Sequence, residues 1–250
     1  MPPPTTSFEV YVSKDTFKFN AAHFVAFQGY RERLHGHNYR IGVRLLGRRQ
    51  IGADGYLIDF GCVKDVCKKV CKRINEHFLC PVHSDVLKIT TENESVRIEC
   101  ADGTYFVFPA ADCVMLPIFH ATAEELAIYL YAEILNGLNA DYLQKRGIHT
   151  MEIAVAEAIG QEATFRLEIP ENVPDDFKLD VKAFITEGDV VPMPCPAETL
   201  SAKRNCCLDC QTSKNELSAQ LQKLANAINE GKLREMGNVT GDDLQRIFSK

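Results

Sequence analysis

The sequence predicts an α+β fold in which two helices back an antiparallel sheet. Three observations point there. Runs of period-two alternation open the chain and recur near residue 155. Two runs between them carry apolar residues at helical spacing. A cluster of short β-rich runs sits between those two.

The elements follow in order. "FEVYVSKDTFKFNAAHF" (8–24) alternates as one strand or a hairpin, with Phe17, Phe19, Ala21 and His23 on one face. "VAFQGYRERL" (25–34) reads as a loop. "HGHNYRIGVRLLG" (35–47) is a second strand with His35, His37, Tyr39, Ile41, Val43 and Leu45 on one face. "ADGYLIDFG" (53–61) reads as a turn and a short strand. In "DFGCVKDVCKKVCKRINEHF" (59–78), Phe60, Val63, Cys67, Val70, Ile74 and Phe78 recur as on an amphipathic helix. Within residues 86–112, "VLKITT", "SVRIEC" and "TYFVFP", with a tight turn at Asp102-Gly103, predict a small added sheet. Thr122 and Glu125 in "HATAEELAIYLYAEIL" (120–135) have capping-box spacing and start a second helix. "TMEIAVAEA" (150–158) is a last strand, and His149 before it reads as a loop residue with no role.

Composition shifts near residue 170. "PENVPDD" and "VVPMPCPAE" predict an extended linker. Ser213 and Glu216 then cap a short amphipathic helix bearing Leu217, Leu221, Leu224 and Ile228, too short for a coiled coil. The expected division is a domain over 1–170, with its insertion at about 86–112, and a linker and helical tail over 171–250.

The 250 residues carry a formal net charge of -6, with 46% hydrophobic and 25% charged residues. This is the composition of a soluble globular chain, and its acidity argues against nucleic acid as partner. No apolar run is long enough to cross a membrane, and "MPPPTTSFEV" has no basic or apolar leader region, so a cytoplasmic protein is expected. Ten cysteines in a chain this long read as reduced thiols rather than a disulfide scaffold. Cys195, Cys206, Cys207 and Cys210 are too irregularly spaced to argue strongly for a second metal site.

The chemistry gathers at three histidines. His35 and His37 share a strand face, and His23 ends the preceding strand. Three neutral imidazoles fill three corners of a tetrahedron and leave the fourth open, the plan of a catalytic zinc site. Two ordinary histidines on a polar strand are the plainer alternative. Glu157 falls on the strand face of Met151, Ile153 and Val155, where a carboxylate is costly unless it has a partner.

"FNAAHF", "LHGHNY", "GYLIDFG", "ATAEELAIYL" and "IAVAEAIGQEATF" occur in that order. Together they resemble the 6-pyruvoyl-tetrahydropterin synthase family, which includes the 6-carboxy-tetrahydropterin synthases, over roughly residues 8–168. The resemblance implies a T-fold, with subunits closing into a barrel, a hexamer, and active sites at subunit interfaces. It implies zinc on His23, His35 and His37, and 7,8-dihydroneopterin triphosphate as substrate. It also implies that Glu157 anchors the pterin, whose adjacent ring N–H and amine suit a bidentate carboxylate, and that Thr122 lies beside the pterin pocket.

The chain departs from the family in three places, one of them length, since residues 86–112 and 170–250 have no counterpart in its shortest members. The familiar synthases carry a base cysteine shortly before the His-x-His pair. Here the first cysteine is Cys62, and Glu32 stands in "ERLHGH". Glu-x-x-His-Gly-His resembles a branch with glutamate in that role, some members of which serve folate synthesis. Glu32 as a solvated charge beside Arg31 and Arg33 is the plain alternative. Where the family shows Asp-His near the helix end, this chain has Glu76-His77, so His77 is the implied proton relay, with His83 competing and His120 read as structural.

The expected function is a zinc-dependent pterin enzyme, a carbon–oxygen lyase that eliminates triphosphate. Catalysis would rest on Glu32, His77 and Glu157. Side-chain cleavage to 6-hydroxymethyl-dihydropterin, or to the 6-carboxy product, is the alternative reaction. A non-catalytic zinc- and pterin-binding module is the alternative of another class.

Overall fold

The computed structural model describes residues 7–48, 51–174 and 176–186. By contact the chain divides into Met1–Glu187 and Gly188–Lys250. The expected tail helix and Cys195, Cys206, Cys207 and Cys210 lie outside the described residues.

The strands and helices in order are β1 (Phe8–His23), β2 (Ala26–Phe27), β3 (Tyr30–Arg31), β4 (His35–Gly47), α1 (Phe60–Ile74), β5 (His77–Pro81), β6 (Leu87–Glu92), β7 (Ser95–Cys100), β8 (Tyr105–Pro109), β9 (Cys113–Leu116), α2 (Ala123–Leu138), α3 (Ala140–Lys145), β10 (Ile148–Ala158) and β11 (Gln161–Glu168). The main sheet runs β11-β10-β4-β1-β5-β9. Its first four strands pair antiparallel, whereas β5 pairs parallel with both β1 and β9. The sheet is therefore mixed, not wholly antiparallel as expected. The segment between β5 and β9 is long enough for a parallel return, which a hairpin is not. It contains the added sheet, β6-β7-β8, at the place the sequence indicated.

β1 is one strand with an irregularity between Ser13 and Lys18. That bulge resets the alternation, so that Val12 and then Phe17, Phe19 and Ala21 all face the core. Helices α1 and α2 cover this face. Val63, Cys67, Val70, Cys71 and Ile74 form the buried stripe of α1, and Leu126, Leu130, Ile134 and Leu135 lie buried on α2. A second core joins Phe24, Ala26 and Phe78 to Leu87, Val96 and Ile98 of the added sheet. The opposite face of the main sheet is polar. There Glu152 is buried between Arg44 (3.2 Å) and Arg166 (2.6 Å).

Five further expectations are corrected. The segment 25–34, expected as a loop, holds the short β2–β3 hairpin, with Ala26 paired to Arg31 and Phe27 to Tyr30. α1 ends at Ile74, before Phe78, because Asn75 turns extended and Glu76 takes φ 63°. Asn20 holds this reversal by donating its N–H to Asn75 Oδ1 and accepting the N–H of Glu76. The "ADGYLIDFG" segment forms turns rather than a strand. The Arg146 guanidinium bonds the carbonyls of Tyr56 and Leu57 and both oxygens of Asp54, taking the place of a neighbouring strand. His149 lies in β10, not in a loop. The Thr122–Glu125 capping box is half made: Thr122 accepts from Glu125 N–H, but the Glu125 carboxylate reaches back to the amides of Phe119 and His120. Beyond β11, the described residues of the expected linker pack on the main unit. Val181 is buried, and Asn136 donates to the Phe177 carbonyl.

Candidate active site

The register of β1 against β4 builds the site. His23 stands opposite His35, and Ala21 opposite His37. Cross-strand partners point to the same face, so the three imidazoles converge at the sheet end. Their ring centroids are 4.5, 4.9 and 5.1 Å apart, and one ligating nitrogen from each lies within 4.8 Å of the others.

The rings are oriented as metal ligands need. His23 Nδ1 donates to the Ala121 carbonyl (2.7 Å) and His35 Nδ1 to the Arg33 carbonyl (2.8 Å). Each bond puts the proton on Nδ1 and leaves the Nε2 lone pair free. His23 Nε2 is buried without a hydrogen-bond partner, an orphaned acceptor facing the other two rings. Burial, more than any neighbour, holds the pKa of His23 below the usual histidine range and favours the neutral ligand form. A three-histidine set of this kind fits a divalent transition metal.

A cavity of about 250 Å³ opens beside His23 and His35. Glu32, Glu157 and Thr122 line it, joined by Glu124, Gln161 and Glu162. Glu157 sits in the β10 irregularity between Ala156 and Ala158, and it accepts a hydrogen bond from the Tyr39 hydroxyl (3.4 Å). Burial and the Glu157 charge push the Tyr39 phenol far above its usual range, so Tyr39 stays a donor. Glu32 Oε2 accepts the Val25 N–H (3.1 Å), and among the described residues Oε1 has no hydrogen-bond partner.

His77 lines an adjacent groove of about 490 Å³, together with His37, Gly36, Phe108 and Asp112. It pairs with Ala21, which also pairs with His37. The three therefore stand in one row on one face, with His37 and His77 about 10 Å apart at two strand spacings. His77 Nδ1 donates to the Asn75 carbonyl, not to Glu76. His83 packs edge-on against Phe119 and lines neither cavity. His120 pairs with Glu125 at 2.8 Å, behind the loop that presents the Ala121 carbonyl.

The structure thus gathers His23, His35, Glu32, Glu157 and Thr122 around one cavity, and puts His37 and His77 on its neighbour. Sequence reasoning missed Gln161 and Glu162, which come from β11. The signal was present: Ala163, Phe165 and Leu167 alternate with the polar Glu162, Thr164, Arg166 and Glu168 after a Gly160 turn. It also missed the Tyr39 brace, although Tyr39 was placed on the face of the histidines.

A mixed sheet backed by helices on one face is a T-fold, and here a histidine triad stands at the sheet's end beside a carboxylate-lined cavity. The model of the 6-pyruvoyl tetrahydropterin synthase family matches residues 11–168, and the chain belongs to that family. A Methanocaldococcus jannaschii protein assigned as a 6-carboxy-5,6,7,8-tetrahydropterin synthase is 30% identical over 152 residues, which is 60% of this chain and 89% of that one. The 6-pyruvoyltetrahydropterin synthase of Plasmodium vivax is 41% identical, with TM-score 0.64 over 66% of this chain and 99% of that one. The Plasmodium falciparum enzyme is 40% identical, with the same TM-score and coverage. Solved structures of the Plasmodium vivax protein include variants with a catalytic glutamate replaced by alanine or cysteine.

Proposed function

We propose that the chain is a zinc-dependent pterin enzyme acting on 7,8-dihydroneopterin triphosphate, with Glu32 as its base. The observation that carries this reading is that Glu32 and Glu157 line one cavity together with His23 and His35 of the histidine triad. His23, His35 and His37 would hold the ion. When bound, it supplies polarisation of a side-chain oxygen through its open fourth position.

The protein groups do the rest. Glu157, held in place by Tyr39, offers a carboxylate to the two adjacent donors of the pterin ring. The cavity lies just below the usual range of about 300–1,000 Å³ for ligand pockets. That suits a bicyclic ring, with the side chain leading out along the histidines. Among the described residues no Lys or Arg lines it, and Glu124 and Glu162 add negative charge, so the triphosphate is held outside. Glu32 Oε1 takes the side-chain proton, and His77, along the row from His37, returns one. Thr122 fixes the α2 start that forms the cavity wall.

The reaction proposed first is triphosphate elimination to 6-pyruvoyl-tetrahydropterin. The glutamate in place of the cysteine favours a second reading, cleavage to 6-hydroxymethyl-dihydropterin. The Plasmodium vivax relative, with its own catalytic glutamate, supports Glu32 as base under either reading. The test is chromatographic product analysis of the zinc-loaded protein with this substrate. A pyruvoyl product supports elimination and a hydroxymethyl product the second reading. Tight pterin binding with no product would leave only a binding module.

A further inference from the structure

We propose that the inserted sheet positions Glu32, with Arg31 as the positioning residue and Asp102 as its anchor. The proposal rests on the reading of Glu32 as base. Glu32 follows β3 in a short loop, a poor platform for a group that must meet a substrate proton within a few tenths of an ångström. Two sets of contacts fix it. On one side, the Val25 N–H donates to Glu32 Oε2 (3.1 Å) and the Glu32 N–H donates to the Val25 carbonyl (2.9 Å). On the other, Arg31 Nη1 donates to the Glu32 carbonyl (2.8 Å) while Arg31 Nε donates to Asp102 Oδ2 (2.9 Å).

Asp102 lies in the β7–β8 turn, so this ion pair ties the base-bearing loop to the insertion across 71 residues of sequence. The Arg31 side chain is only 18% exposed. Its guanidinium lies 5.6 Å from the Phe106 ring centroid and 6.0 Å from that of Phe24. A planar cation held by a carboxylate at its edge and by aromatic faces has one orientation, and that orientation aims Nη1 at the Glu32 carbonyl.

The anchor is itself rigid. Asp102 accepts from the Thr104 hydroxyl and N–H, and Gly103 takes φ +80° in the turn. Those Thr104 bonds, with Arg31 after them, hold the Asp102 carboxyl down at about 2, so it stays ionised at any working pH. Phe24, Phe106 and Phe78 pack ring on ring beneath the pair and weld the added sheet to β5 and to the chain entering the loop. The same insertion supplies Phe108, and the turn after it Asp112, to the groove of His77.

The experiment measures kcat, KM, bound zinc and pterin affinity for the wild type, Asp102→Asn, Arg31→Gln, Glu32→Gln and the Asp102→Asn/Glu32→Gln double variant. Asn keeps the acceptor for Thr104, and Asn-Gly suits the turn, so Asp102→Asn retains the fold. The expected result is a kcat lowered roughly ten-fold in both Asp102→Asn and Arg31→Gln, with KM and zinc unchanged. Adding Asp102→Asn to Glu32→Gln is expected to change the residual rate no further, and amide hydrogen exchange over residues 25–34 is expected to rise. Wild-type kcat in both single variants, beside an inactive Glu32→Gln, overturns the positioning role and leaves the base reading standing. An equal fall in both backgrounds also overturns it, since the effect then bypasses Glu32. Full activity in Glu32→Gln overturns the base reading, and this proposal with it.

Discussion

At the residue scale, Glu125 shows how a site is braced from behind. Its carboxylate accepts the amides of Phe119 and His120 and the His120 imidazole, and so holds the loop whose Ala121 carbonyl orients His23. The bond to Glu125 is the main reason that His120 titrates above the ordinary histidine range. A raised pKa means that the folded state binds the proton more tightly. The stabilisation is therefore complete below the unfolded value of about 6.5 and is lost as pH rises through the folded value. In the metal-free protein, the stability gap between wild type and His120→Asn should shrink as pH rises from about 6 to about 9. Urea unfolding across that range measures it, and a gap that does not move with pH would refute the assignment. Sequence alone read His120 as structural but not its partner, because a carboxylate at capping-box spacing predicts a bond to the cap residue itself.

At the element scale, the glycine between His35 and His37 has a physical reason. A Cβ on Gly36 would stand 2.9 Å from the Ala21 carbonyl oxygen, a backbone atom that cannot swing aside. Gly36→Ala should push β4 from β1 at the point where His23 faces His35. The expected outcome is zinc affinity reduced by roughly ten-fold or more, the scale seen for lost ligand orientation, with the histidines all present. Isothermal titration of the apo-protein with zinc reads this, and an unchanged affinity would show that the strand ends yield freely. Both site strands, both long helices and the added sheet were legible in the sequence because each has its own periodicity. β5 was not. "HFLCP" is a short apolar run that continues the α1 stripe in phase, and only the positive φ at Glu76 and its bonds to Asn20 end the helix. β9 is four residues long, and its parallel pairing with β5 leaves no local mark.

At the largest scale, the described unit is built on a sheet with two unlike faces. Helices cover one. The other carries Glu152 between Arg44 and Arg166. No described helix is long and apolar enough to cross a membrane. The site lies at one end of this sheet. There two strands bring the histidines, the α2 entry brings Thr122 and Glu124, and the β10–β11 hairpin brings Glu157 and Glu162. The sequence named most of these groups, but only the three-dimensional register shows that Glu32 and Glu157 share a cavity while His77 stands across Ala21 in the next groove. Under the function proposed above, the two carboxylates divide the labour, Glu32 moving a proton and Glu157 holding the ring. The measurement that tests it most directly compares Glu32→Gln with Glu157→Gln in the zinc-loaded protein, reading kcat and pterin Kd for each. The account predicts that Glu32→Gln lowers kcat by about 100-fold or more with pterin Kd unchanged. Glu157→Gln should instead weaken pterin binding by roughly ten-fold or more, the value of a lost charge-assisted pair. If Glu32→Gln keeps its kcat, or if the two variants lose binding and turnover alike, the division of roles is wrong.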